Sequence, residues 1–198
     1  MPAAPATGAA RARRRFGRAA ATALILAAVL VAPVACSASG SSGEVAVPTT
    51  ARVVAGRRPL PGFGQTAARV TTSAGRVVEL CLLVAATEAL RDRGLMGVTD
   101  RSLGGYDGML FTFTQPTVTE FWMRNTPQPL SVAFLDGHGR YVSSTDMAPC
   151  GDRADCPTYA SRGPYTDALE VPRGRLPASG VAAGATLRRT SGACPTSR

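Results

Sequence analysis

The sequence predicts a mostly β (α+β) fold: one compact β-rich domain, barrel- or sandwich-like, with one or two short helices. Three observations carry this. Short apolar stretches alternate with a period of two, as in GMLFTF (Gly108–Phe113), where Met109, Phe111 and Phe113 share a face. Turn formers such as SAG and DGHG separate these stretches. Only TEALRDRG carries helix signals at both of its ends.

Taken in order, Arg69–Thr72 and Arg76–Ala85 read as strands joined by the SAG turn, a hairpin pattern. In TEALRDRG, Thr87 is an N-cap, Glu88 suits the first turn and Arg91 and Arg93 the last. Gly94 can take the left-handed position beyond it, so the helix spans Glu88–Arg93. LGGYDG is loop, and Gly108–Phe113 is a strand. Val118–Asn125 is a further strand, broken by TPQP. Leu130–Leu135 is apolar on both faces, as a central strand must be, and DGHG turns the chain into Arg140–Ser144. Ala168–Val171 and Ala185–Arg189 supply short closing strands.

The chain has 198 residues, enough for one such domain plus non-globular segments. All 22 basic residues are arginine, which in an Ala/Gly/Pro-rich chain points to GC-rich coding bias, of the kind seen in actinobacteria, rather than to a selected polycation. Five of them (Arg11, Arg13, Arg14, Arg15 and Arg18) precede an apolar run, leaving 22 − 5 = 17 against 13 acidic groups. The 17 are scattered, and no basic face or nucleic-acid motif is present, so nucleic acid is excluded as a partner.

RARRRFGR followed by AATALILAAVLVAPVAC has the basic, apolar and small-residue regions of a secretory signal peptide. The apolar run Ala19–Ala35 is at the short edge for a membrane span. Cys36 follows it and precedes SASGSSGE, a flexible polar tether. This resembles the lipobox of bacterial lipoproteins, whose cysteine is acylated, although Pro33 stands where that pattern prefers leucine. Arg13-Arg14-Arg15-Phe16 also resembles a twin-arginine signal. The organisation is thus signal peptide over 1–36, tether over 37–65 and β-rich domain over 66–194, with the membrane as a partner through a lipid on Cys36.

Five cysteines become four once Cys36 is assigned to lipid. Cys150 and Cys156 frame the polar loop CGDRADC, whereas Cys81 lies in an apolar strand and Cys194 beyond the last apolar segment. The pairs predicted are Cys150–Cys156 and Cys81–Cys194. Loop entropy gives about 2.4 kcal/mol for the short loop and about 4.8 kcal/mol for the long one. Both are sizeable against a net stability of about 5–15 kcal/mol. The single histidine, His138, sits in the turn DGHG, which argues against a metal centre and against a cysteine nucleophile, and no cofactor is indicated.

RGLM (Arg93–Met96), RSL (Arg101–Leu103), DGMLFTF (Asp107–Phe113), FWMRNT (Phe121–Thr126), PLSVAFLDGHGR (Pro129–Arg140), MAPC (Met147–Cys150) and ALEV (Ala168–Val171) follow one another in order. Together they resemble the bacterial and archaeal family called domain of unknown function 192, over about Arg76–Arg188. The resemblance implies a compact, β-rich, often exported domain, and it implies no activity. The family usually has aspartate after PL, where this chain has Ser131. A catalytic or metal-binding role for that carboxylate would be lost here, while a hydrogen-bonding role would survive.

In FWMRNT, Phe121 and Met123 fall on one face of an extended segment and Trp122 and Arg124 on the other. As scaffold, Trp122 and Arg124 would stack, and Asn125-Thr126 before Pro127 would cap a turn. As a site, Trp122 would be a stacking platform with Arg124, Asn125 and Glu170 as polar contacts for a glycan or carboxylate. Asp136 and Asp107 read as turn residues, and Asp152 and Asp155 as solvated. Glu120, Asp136, Asp146 and Glu170 could supply a hydrolytic carboxylate pair, but sequence gives no separation between them. No catalytic residues are therefore assigned. The expectation is an exported, lipid-anchored binding or accessory module for an envelope ligand or protein partner. A carboxylate-dependent envelope hydrolase and a purely structural envelope component are the alternatives.

Overall fold

A computed structural model describes residues 56–194. The signal peptide, Cys36 and residues 37–55 of the tether lie outside the described residues. The elements are β1 (Gly64–Thr71), β2 (Val77–Ala85), α1 (Glu88–Arg93), a 3-10 turn (Leu103–Gly105), β3 (Gly108–Thr117), β4 (Phe121–Trp122) and β5 (Leu130–Leu135). They continue with β6 (Tyr141–Met147), β7 (Thr158–Tyr159), β8 (Tyr165–Pro172), α2 (Leu176–Ser179) and β9 (Thr186–Thr190).

Seven strands form one sheet in the order β6-β5-β8-β3-β2-β1-β9, and β4 and β7 form a separate two-stranded ribbon. All pairings in the large sheet are antiparallel except β2–β3, which is parallel and bridged by α1. The sheet is not a closed barrel. Its edge strands β6 and β9 meet at one corner, where Arg140 bridges Thr186 and Leu187 N–H donates to the Gly139 carbonyl at 2.8 Å.

Both faces of the central strands are buried. Cys81, Leu83, Met109, Phe111, Val132 and Phe134 pack on one face with Phe121, Met123 and Tyr165. The intervening residues Leu80, Leu82, Leu110, Ala133, Leu135 and Leu169 pack on the other. Each such side chain contributes about 1.5–3 kcal/mol on burial, before chain entropy opposes it.

The helix lies where the cap residues place it. Thr87 Oγ1 accepts from Leu90 N–H at 3.3 Å, and Gly94 ends it at φ 44° with ψ −131°, a positive φ outside the left-handed helical basin. The strand predicted over Val118–Asn125 shrinks to Phe121–Trp122, because the chain turns at Met123. Thr126 N–H bonds the Met123 carbonyl, and Asn125 takes φ 55°. Strands β1 and β3 run longer than alternation alone suggested. β1 pairs along its length with β2, and β3 continues through a register shift after Thr112. From Arg57 the chain is folded onto the body rather than forming tether. Arg57 is buried, its Nε donates to the Gly105 carbonyl, and Arg58 N–H donates to that of Gly104.

The Cys81–Cys194 and Cys150–Cys156 sulfurs lie at disulfide distance, 1.95 and 2.02 Å. The first joins the chain beyond β9 to β2, and the second closes the loop before β7. Such pairs suit an oxidising compartment. No helix among the described residues is long and apolar enough to cross a membrane. Ser131, at the family's aspartate position, is buried. It donates to Asp146 Oδ1 at 2.5 Å and accepts from Gly174 N–H at 3.2 Å, so its work here is structural.

Replacing Cys194 with serine should lower unfolding stability by about 2–5 kcal/mol in urea titrations, and Cys156→Ser by less, because the short loop restrains less unfolded chain.

Candidate functional site

Four segments that carry the family resemblance converge on one cleft of about 480 Å³. RGLM contributes Gly94, Leu95 and Met96, DGMLFTF contributes Phe111 and Phe113, FWMRNT contributes Phe121 and Trp122, and ALEV contributes Glu170. That volume is within the range of small-molecule sites. The parallel β2–α1–β3 crossover lays the end of α1 over the sheet as one wall. The segment Thr119–Trp122 forms the other wall, held by Tyr165, whose hydroxyl donates to the Thr119 carbonyl at 2.5 Å. Burial pushes the Tyr165 phenol above its ordinary range, so it stays a donor.

Glu170 is the unusual member. The antiparallel ladders pair it with Met109 on β3 and Val132 on β5, both fully buried, so its carboxyl occupies an inward position in an apolar face. It is 4% exposed and has no hydrogen-bond or ion-pair partner among the described residues. Desolvation alone raises its pKa from 4.5 to about 8, so without a charged partner it is a neutral carboxylic acid at pH 7. Gly108 makes room for this arrangement. A Cβ there would come within 2.4 Å of the Glu170 carbonyl oxygen, so only glycine lets β3 approach β8 so closely.

The aromatic walls are ordered by their own contacts. Phe111 and Phe121 meet edge-to-face at 4.9 Å between centroids, and Phe121 meets Phe134 at 5.6 Å. Trp122 is 50% exposed and lines the cleft, as a stacking platform requires. The neighbouring arginines are committed elsewhere. Arg91 lies 4.7 Å over the Phe113 ring and bonds the carbonyls of Ala86 and Thr112, while Arg93 lies 4.1 Å over Phe63 and bonds the Pro61 carbonyl.

Of the residues proposed from sequence, Trp122 and Glu170 come together, whereas Arg124 and Asn125 do not join them. Arg124 turns to the cysteine loop, where its guanidinium meets Asp152 Oδ1 at 2.6 Å, so it does not stack on Trp122. Asn125 Nδ2 reaches the same carboxylate at 3.4 Å. Asp152 is exposed but paired, and the Arg124 hydrogen bond holds its pKa below the ordinary value. Asp155 meets Arg153 at 3.3 Å. Asp107 is more than a turn residue: its Oδ2 accepts from Cys81 N–H at 2.7 Å and ties β3 to β2. Asp136 caps the β5–β6 turn through His138 and Arg140 N–H. Among the described residues no group of three or more metal-ligating side chains gathers. Phe113 and Gly94 were not singled out from sequence as site residues. The signal was present in the motifs that contain them, but alternation reads the one as core and the other as a cap.

The raised carboxyl makes stability pH-dependent in a definite direction. Between pH 4.5 and about 8 the native state holds a proton on Glu170 that the unfolded chain releases. This contribution is complete below 4.5 and declines as pH rises to 8, with an upper bound of about 4–5 kcal/mol. Glu170→Gln should flatten the fall in urea-unfolding stability between pH 5 and 8.

The chain has relatives among solved structures. It is similar to a protein of Sinorhizobium meliloti 1021 named provisionally as a transcription regulator, at 27% identity and a TM-score of 0.55, with 64% of this chain and 95% of that one covered. It is also similar to a protein of unknown function from Novosphingobium aromaticivorans DSM 12444, at 28% identity and a TM-score of 0.56, with 66% and 89% covered. No curated protein matches. The model of the family DUF192, described as "Uncharacterized ACR", matches residues 69–189, and the chain belongs to that family.

Proposed function

We propose that this protein is an extracytoplasmic binding module, lipid-anchored through Cys36, that takes a small envelope ligand in the aromatic cleft. The observation that carries the reading is the meeting of a half-exposed Trp122 and a buried, unpartnered Glu170 carboxyl in one cavity. A stacking face gives a ligand contact area, and a desolvated acid gives it one strong orienting interaction. The basic and apolar regions before Cys36, with two cysteine pairs beyond it, support export. A purely structural component is less favoured, since the large apolar side chains exposed among the described residues are Val77, Val118 and Trp122, and Trp122 belongs to the cleft. The sole tryptophan of the chain thereby reports on the cleft.

A second reading, a carboxylate-dependent hydrolase, draws on Glu120 lining the same cleft as Glu170. Asp136 and Asp146 are outside it, engaged with the β5–β6 turn and with Ser131. This reading demands turnover of a chromogenic glycoside that both Glu120→Gln and Glu170→Gln abolish.

Two measurements test the main reading. Membrane-extracted protein should carry a lipid mass on Cys36, and Cys36→Ala should release the protein from the membrane fraction. A fragment library screened by ligand-observed NMR and by the fluorescence of Trp122 should yield neutral or charged hits whose affinity, measured by NMR, weakens at least tenfold in Trp122→Ala. Hits that bind the variant equally well would place binding elsewhere.

A further inference from the structure

Four carboxyl groups line the cleft: Glu88 and Asp92 on α1, Glu120 just before β4, and Glu170 on β8. None forms an ion pair among the described residues. Arg91 and Arg93 also line the cleft, but their guanidiniums donate to backbone carbonyls and lie over Phe113 and Phe63. The lining therefore holds four carboxyl groups against two guanidiniums whose N–H groups are turned to backbone carbonyls, around aromatic side chains whose faces attract positive charge. Glu170 adds the independent sign of a ligand, since it is more than nine-tenths buried, unpartnered and part of the cavity lining.

We propose that the ligand of this cleft is an organic ammonium cation, held by the Glu170 carboxylate and by the face of Trp122. This deepens the small-ligand reading above and rests on it. Without a cation beside it the Glu170 carboxyl is neutral, because no partner offsets its desolvation. An arriving ammonium supplies that partner, so the carboxyl gives its proton to solvent and a charge pair forms at the buried Glu170. Binding thus releases a proton up to about pH 8, and affinity for a quaternary cation rises as pH rises towards that value. A neutral ligand that accepts a hydrogen bond from protonated Glu170 has the opposite dependence. Of the other charged groups that line the cleft, Glu88, Asp92 and Glu120 add attraction for a cation, whereas Arg91 and Arg93 oppose it. The strands flanking Glu170 present Met109 and Val132, which do not titrate.

The test compares choline with its uncharged isostere 3,3-dimethylbutan-1-ol, titrated into wild-type protein between pH 6 and 8.5, with Trp122 fluorescence as the readout. Choline should bind at least tenfold more tightly than the isostere at pH 8. Its affinity should rise severalfold or more from pH 6, with a binding heat that varies with the ionisation enthalpy of the buffer, as proton release requires. In Glu170→Gln, checked for folding by its melting curve, choline affinity should drop tenfold or more and lose the pH slope. Equal binding of the isostere, or an affinity that falls as pH rises, overturns the cation assignment and leaves the cleft as a site for neutral ligands. If neither compound binds while fragment hits do, the cation assignment alone falls. If nothing perturbs Trp122, the small-ligand reading falls with it.

Discussion

The constraint on which the rest depends is the register that sets Glu170 between Met109 and Val132. Strand β8 is paired on both sides, so its inward positions have no route to solvent except through whatever covers that face. An ionisable side chain at such a position must find a partner, lose its charge, or face a cavity. Here it faces a cavity, and it loses its charge. Gly108 is part of the same constraint, because any side chain at that point would force β3 away from β8 and open the ladder beside the carboxyl.

The covering layer explains why a cavity exists. One face of the sheet is closed by Leu110, Ala133, Leu135 and Leu169 packing with Val181, Ala185 and Leu187. The other is covered by a six-residue helix, a 3-10 turn and the two-stranded ribbon of β4 and β7. Elements this short cannot blanket a seven-stranded sheet. The gap falls where α1 ends, and Gly94 keeps it open: a Cβ there would lie 3.2 Å from the Phe111 ring, at a φ that disfavours other residues.

The central strands, the helix with its caps and both cysteine pairs were legible because each depends on local chemistry or simple arithmetic. Leu130–Leu135 is the clearest case, apolar on both faces and buried at every position. The sheet order was not legible, since the parallel β2–β3 pairing and the isolated bridge between Arg140 and Thr186 are long-range outcomes. Val118–Asn125 misled because alternation continues through Met123 while the backbone has already turned. Trp122 and Glu170 were both named from sequence. Arg124 was grouped with Trp122 because alternate residues share a face in a strand, and that rule lapses where the strand stops. Its partner, Asp152, lies 28 residues on and could not be foreseen.

That pairing gives the second cysteine pair a place in the site. The loop closed by Cys150–Cys156 carries Asp152, which holds Arg124 and Asn125, and Thr126 bridges Cys150. Asn125 N–H also reaches the Gly151 carbonyl at 3.3 Å. The segment just after Trp122 is therefore pinned to a cross-linked loop, while Phe121 just before it is anchored among Phe111, Phe134 and Tyr165. An exposed tryptophan on an unbraced turn would lose rotational freedom on meeting a ligand, and that loss would offset part of the stacking energy. Fixing the backbone on both sides removes much of that cost in advance. The arginine and asparagine that sequence suggested as ligand contacts thus hold the backbone beside Trp122 to the cysteine loop instead.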